Sequence, residues 1–325
     1  MIRMITSVRS LLKMLSLEQE EAELYCREKR YEKYVRYGGR VRLLKLHALA
    51  HYALIPALKI SRKFAKQKLV VLEDLRKKTD RPCIYCPAHI GGMDIEMAIE
   101  AVKIPTWVVS GDPRELYKSV SGMMLQMNGW IPLDVLDKRD RTAAKAQMKA
   151  LLEKNGDLLI FPEGTQNVSP NLLLNHLSAG AVDLAITCHA EIVPIALEWD
   201  KDTYYCVIGE NIDYSGCRYE DRSALSEDLR DQIAALKWKI IEHLPSLKHS
   251  DITEEYYKAF IDHVLELNGG YSLTVDFIKE TAFRPKGEVS PKEAFSFLNR
   301  LQFKKENAFL AKDALRYRKI NETAY

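Results

Sequence analysis

From residue 68 to residue 208, short apolar runs alternate with stretches of helical spacing, and that alternation restricts the fold more than any other feature of the chain. Strands are expected at 68–72, 83–87, 105–109, 130–133, 157–161, 192–197 and 204–208, and helices at 94–103, 114–127, 140–154 and 177–189. Strand and helix in turn give an α/β fold, a mainly parallel sheet covered by helices on both faces. A strand buried on both faces is apolar throughout, and Leu158-Leu-Ile-Phe161 fits that requirement. Open sheets of this kind hold their ligands beyond the carboxyl ends of the strands.

On either side the pattern is helical. Residues 4–17 place Ile5, Val8, Leu11, Leu12 and Leu15 on one face; 18–36 are strongly charged up to a break at Gly38-Gly39. Residues 41–64 form an apolar stripe among Arg42, Lys45 and Lys59, with a kink expected at Pro56. Residues 1–70 hold 16 Lys or Arg against 6 Asp or Glu, a balance of +10, so with a total of +3 the remainder carries −7. A basic amphipathic end is what a helix lying in an anionic membrane surface looks like, and also what a helix packed on its own domain looks like. After 214 the strands stop. Helices are expected at 226–244 and at 256–267, the second preceded by a capping box, Asp251-Ile-Thr-Glu254, and ended by Gly269-Gly270. Ser290-Pro-Lys-Glu293 opens another. The expected organisation is a basic helical segment at 1–66, an α/β domain at 67–213 and a helical extension at 214–325.

Several classes are set aside. Tyr31, Tyr34 and Tyr37 interleave with basic residues, but no nucleic-acid motif accompanies them, so nucleic acid is not expected as a partner. No run reaches the roughly 18 uncharged apolar residues of a spanning helix, and the first 17 residues lack the pattern of a signal peptide. The six cysteines have no disulfide-framework spacing, which points to a reducing, cytoplasmic setting. Cys83 and Cys86 stand in an apolar strand rather than at a helix start, and no second close pair completes a zinc site, so they read as small core residues. No metal or cofactor is expected.

Two stretches carry chemistry. In Cys83-Ile-Tyr-Cys-Pro-Ala-His89-Ile-Gly-Gly-Met-Asp94 a strand delivers a histidine to a glycine turn, with an aspartate five positions on at the start of a helix. The pair reads either as a base with its orienting acid or as an ordinary capping aspartate beside a bystander histidine, since acids suit a helix start anyway. Gly91 and Gly92 either supply amides to a developing oxyanion or merely permit the turn. The second stretch, Phe161-Pro-Glu-Gly-Thr165, also follows an apolar strand.

Together with Gly129-Trp-Ile-Pro-Leu-Asp134 and Ile192-Val-Pro-Ile-Ala196, these blocks resemble, in order and spacing, the glycerolipid acyltransferase family, that of 1-acylglycerol-3-phosphate and lysophospholipid acyltransferases. The resemblance spans about residues 80–210. It implies that His89 is a general base oriented by Asp94, and that Glu163, Gly164 and Thr165 hold the acceptor. It further implies acyl transfer from acyl-CoA or acyl carrier protein to a lysolipid hydroxyl, by a protein attached peripherally to a membrane. Two positions depart from the pattern: Gln166 stands where arginine is common, and Val135 where a basic phosphate contact is expected. A shifted alignment offers Lys138 and Arg141 as the phosphate contacts. Glutamine cannot reproduce the two-pronged phosphate contact of arginine, so a non-phosphate lyso-glycolipid or other polyol acceptor is a second expectation. A non-enzymatic membrane-surface scaffold is a third. Trp107, Trp130 and Trp199 would serve as acyl-tunnel walls or as core.

Overall fold

The computed structural model describes residues 8–41, 44–111, 120–265, 274–285 and 294–322. Three helices come first, α1 (Val8–Ser16), α2 (Gln19–Tyr37) and α3 (Leu44–Phe64). Gly38, at φ 52°, closes α2, whereas Pro56 lies within a single continuous α3. The α/β region follows: β1 (Lys68–Asp74), β2 (Cys83–Pro87), α4 (Asp94–Val102), β3 (Thr106–Ser110), α5 (Val120–Asn128), β4 (Trp130–Pro132), α6 (Lys138–Leu152), β5 (Asp157–Ile160), α7 (Gly180–Cys188), β6 (Glu191–Asp200), β7 (Thr203–Ile208) and β8 (Ile212–Asp213). Every expected strand between 68 and 208 has its counterpart. The first part of the expected helix at 114–127 lies outside the described residues, as do the Gly269-Gly270 stop and the Ser290-Pro-Lys-Glu293 start.

The strands form one sheet in the order β1-β7-β6-β2-β5-β3-β4, with β8 beside β6. Pairing is parallel from β6 through β4 and between β1 and β7; the β6–β7 and β6–β8 pairs are antiparallel. The β6–β7 reversal is a tight hairpin at Lys201-Asp202, with Lys201 in the left-handed region at φ 55°. β2 sits at the centre with all five residues buried. Its alternate side chains enter two cores. Ile84 and Cys86 pack with residues of α6, α7 and α8 (Arg222–His243), while Cys83 and Tyr85 pack with α3 and α4. Cys83 and Cys86 therefore lie on opposite faces of the sheet. Burial pushes the Cys83 thiol up to about 12 and raises that of Cys86 as well, as expected of inert core thiols. Trp107 lies against His47, Trp130 against the helix side chains Met14 and Ala22, and Trp199 against the sheet core; all three pack as core aromatics.

The chain divides into two compact units, Met1–Phe283 and Arg284–Tyr325. The first also contains α8, α9 (Glu254–Leu265) and α10 (Val275–Thr281). The cap of α9 stands two residues later than the expected box, and the helix starts at Glu254, two residues before the expected 256. Thr253 caps it, its hydroxyl accepting from the Tyr256 amide at 3.3 Å, while Asp251 accepts from Lys248 at 2.9 Å. Among its described residues the second unit holds two short 3-10 turns and α11 (Ala311–Glu322), around the buried Leu298 and Ala314. Arg318 ties it together by donating to the carbonyls of Leu298, Asn299 and Leu301.

Candidate active site

Strand pairing brings the two chemistry-bearing loops together. β2 and β5 are parallel neighbours, with Ile84 opposite Leu158 and Tyr85 opposite Leu159. His89 lies four residues beyond Tyr85 and Glu163 four beyond Leu159, so both leave the sheet at the same level of its carboxyl edge. The contact follows from that register: Glu163 Oε1 accepts the His89 amide at 2.8 Å. Its other oxygen, Oε2, accepts the Asn175 amide, also at 2.8 Å. The Glu163 side chain is thus placed beneath the His89 loop at 1% exposure with both oxygens engaged, and burial raises its pKa.

The turn after His89 closes on one oxygen. Asp94 Oδ2 accepts from His89 Nδ1 at 2.7 Å and from the amides of Ile90 and Gly91 at 2.8 Å each. The Gly91 amide is therefore taken up inside the turn and is not offered to an oxyanion. Asp94 is 1% exposed at the first turn of α4, where the unpaired amides favour an anion. Burial works to lower the His89 pKa, but the charge and hydrogen bond of Asp94, with the charge of Glu163, outweigh it and hold the imidazole above its ordinary value. With Nδ1 as the donor to Asp94, Nε2 carries the lone pair. The ring lies 4.5 Å from that of Phe161.

The Glu163 loop is held from several sides. Gly164, at φ 74°, follows a turn in which its amide donates to Phe161 O at 3.0 Å, and the space on its Cβ side is open. Thr165 is buried beside Gln166, and the Asn167 amide donates to His89 O at 3.0 Å. From α8, Arg230 donates to the carbonyls of Leu174 and Asn175, and the buried Lys237 to that of Leu173. None of Asn167, Asn175, Arg230 or Lys237 was signalled by spacing; the α8 residues act on the loop from more than fifty positions away.

Lys138 and Arg141 are not brought to the dyad. They are exposed at the start of α6, after β4, with β5 and β3 between β4 and β2, a lateral step of about 14 Å. The Arg141 guanidinium donates to Val135 O.

Residues 68–198 match the family model described as Acyltransferase. Among solved structures the chain is similar to the crystal structure of the 1-acyl-sn-glycerophosphate (LPA) acyltransferase, PlsC, from Thermotoga maritima. The identity is 16% and the TM-score 0.47, over 73% of this chain and 88% of that one. A comparison with curated proteins finds no match. Both loops and the His89–Asp94 pair fall inside the matched residues, so the site lies within the acyltransferase domain at 68–198.

Proposed function

We propose that the protein transfers a fatty acyl group from an acyl-CoA or acyl carrier protein thioester to a hydroxyl of a lysolipid such as 1-acylglycerol-3-phosphate. The observation that carries the reading is the 2.7 Å His89–Asp94 hydrogen bond in a turn built to orient the ring. His89 Nε2 removes the acceptor's proton as its oxygen attacks the thioester carbon, and Asp94 stabilises the imidazolium that forms. Collapse of the tetrahedral centre breaks the carbon–sulfur bond, and the imidazolium returns the proton to the leaving thiolate. No enzyme nucleophile is required. Glu163 supports the His89 loop from below, while Gly164 and Thr165 border the acceptor's polar backbone. Replacing His89 with alanine is expected to lower turnover by at least about a hundredfold with an unchanged near-ultraviolet circular dichroism spectrum; turnover close to wild type overturns the mechanism.

A second reading, a non-phosphate lyso-glycolipid or other polyol acceptor, is favoured by Gln166 and Val135 and by the distance of Lys138 and Arg141 from the dyad. Parallel assays with 1-acylglycerol-3-phosphate and a neutral lyso-glycolipid separate the two. If Lys138 and Arg141 contact phosphate, reversing their charge raises KM for the first acceptor only.

Peripheral membrane attachment is part of the proposal. Among the described residues no helix is long and apolar enough to cross a membrane. α3 exposes Leu49, Tyr52, Ile60 and Phe64, the last at 84%, near Lys59 and Lys63. This combination supports an interfacial helix.

A further inference from the structure

The helical region after the sheet has no counterpart in the matched residues, yet α9 lies against the catalytic turn. A Cβ on Gly91, at φ 81°, would stand 2.5 Å from Val264 O, and one on Gly92, at φ 60°, would meet the Tyr204 hydroxyl at 2.3 Å and the His263 ring at 2.8 Å. The backbone of the turn and that of α9 touch because neither glycine has a side chain.

A polar chain crosses this contact. The amide of Met93, the residue before Asp94, donates to the Tyr204 hydroxyl at 3.0 Å. That hydroxyl lies 3.5 Å from His263 Nε2, at the outer limit of a hydrogen bond, and can donate to it. His263 in turn stacks on Trp199, with centroids 3.7 Å apart. Burial lowers the His263 pKa to about 4, so the ring is neutral, and in its Nδ1-protonated tautomer Nε2 accepts. The ionisable groups facing His263 are Asp94 from α4 and Tyr204 from β7; those facing His89 are Asp94 and Glu163.

We infer that His263 is a positioning residue for acyl transfer: through Tyr204 and Met93 it fixes the start of α4, and with it the Asp94 carboxylate that orients His89. This makes α9 a working part of the site, and it rests on the reading of His89 as the base. The mechanical link is short. A shift of Met93 moves Asp94 directly, and Asp94 Oδ2 gathers the ring and both amides of the turn.

The test uses the full-length protein with three variants, His263→Phe, His263→Gln and Tyr204→Phe, beside His89→Ala. Phenylalanine keeps the ring against Trp199 but removes the Nε2 acceptor that faces the Tyr204 hydroxyl; glutamine supplies an acceptor oxygen. Turnover of palmitoyl-CoA with a panel of lysolipids and the imidazole titration of His89, followed by NMR with labelled histidine, are measured for each. The expected result is a kcat about tenfold lower for His263→Phe and Tyr204→Phe with KM within about twofold, an His89 pKa lowered by about half a unit or more, and recovery in His263→Gln. An unchanged kcat and unchanged His89 titration overturn the inference, as does a loss in His263→Gln equal to that in His263→Phe, which would mark a packing role only. If His89→Ala retains turnover, the base assignment fails instead. The NMR titration then decides the positioning claim, which an unmoved His89 pKa overturns.

Discussion

The chemistry of His89 is set by which carboxylate oxygen it meets and how that oxygen is held. Asp94 Oδ2 accepts three donors, so Asp94→Asn puts an amide where two backbone N–H groups and the ring all need an acceptor, or leaves them a weaker neutral one. Turnover should drop by two orders of magnitude or more, about the reach of general-base catalysis. The pH profile gives an independent check. Asp94 and Glu163 raise the His89 pKa, and the base must be neutral, so kcat/KM should rise with pH along an acid limb whose midpoint lies above about 6.5. Removing the Asp94 charge should move what remains of that limb to lower pH. Glu163→Gln tests the supporting contact. Either the His89 or the Asn175 amide would then face an NH2 group, at a cost on the order of 1–3 kcal/mol in denaturation experiments.

The elements that frame the site are tied to it by buried polar groups as well as by apolar packing. α3 docks through two histidines: His47 Nδ1 lies 2.9 Å from Met127 O, and His51 Nδ1 lies 2.7 Å from Asn128 Oδ1. Burial holds both pKa values below the ordinary histidine value. The unfolded chain therefore binds more protons than the folded one near and below pH 6.5, and the stability these residues contribute is complete above that pH and lost as pH falls through the folded values. Hydrogen exchange should show α3 amides losing protection on acidification before those of β2. Replacing both histidines with glutamine should flatten that dependence.

Across the whole molecule, part of the basic amino end serves the fold. Arg27 pairs with Asp134, Arg30 with Asp140 and Arg62 with Glu100, so part of the +10 balance of residues 1–70 fastens α2 and α3 to the α/β region. In the proposed membrane attachment, the attraction to an anionic surface is correspondingly weaker than the count suggests, and the exposed apolar residues of α3 share the work. Co-sedimentation with phosphatidylserine vesicles should fall as salt rises from 50 to 500 mM, through screening of about a Debye length. Leu49→Asp with Phe64→Asp should weaken it at every salt concentration. Binding that ignores both changes would leave the α3 surface without this role.

The sequence by itself determined the strand and helix alternation, the burial of β2 and the identity of the His89–Asp94 turn, because each depends on periodicity or on spacing within about a dozen residues. Local signals were weaker where neighbouring cues competed: the α9 cap passed from Asp251 to Thr253, and the β6–β7 hairpin carries no glycine to announce it. Only the tertiary structure decided the rest. Glu163 takes its place under His89 from the parallel register of β2 and β5; Lys138 and Arg141 stand apart because two strands intervene. His263 on α9 meets Tyr204, 59 positions earlier, and Trp199 behind Gly92. Contacts of that kind depend on chain closure over long separations, and a single sequence leaves no periodic trace of them.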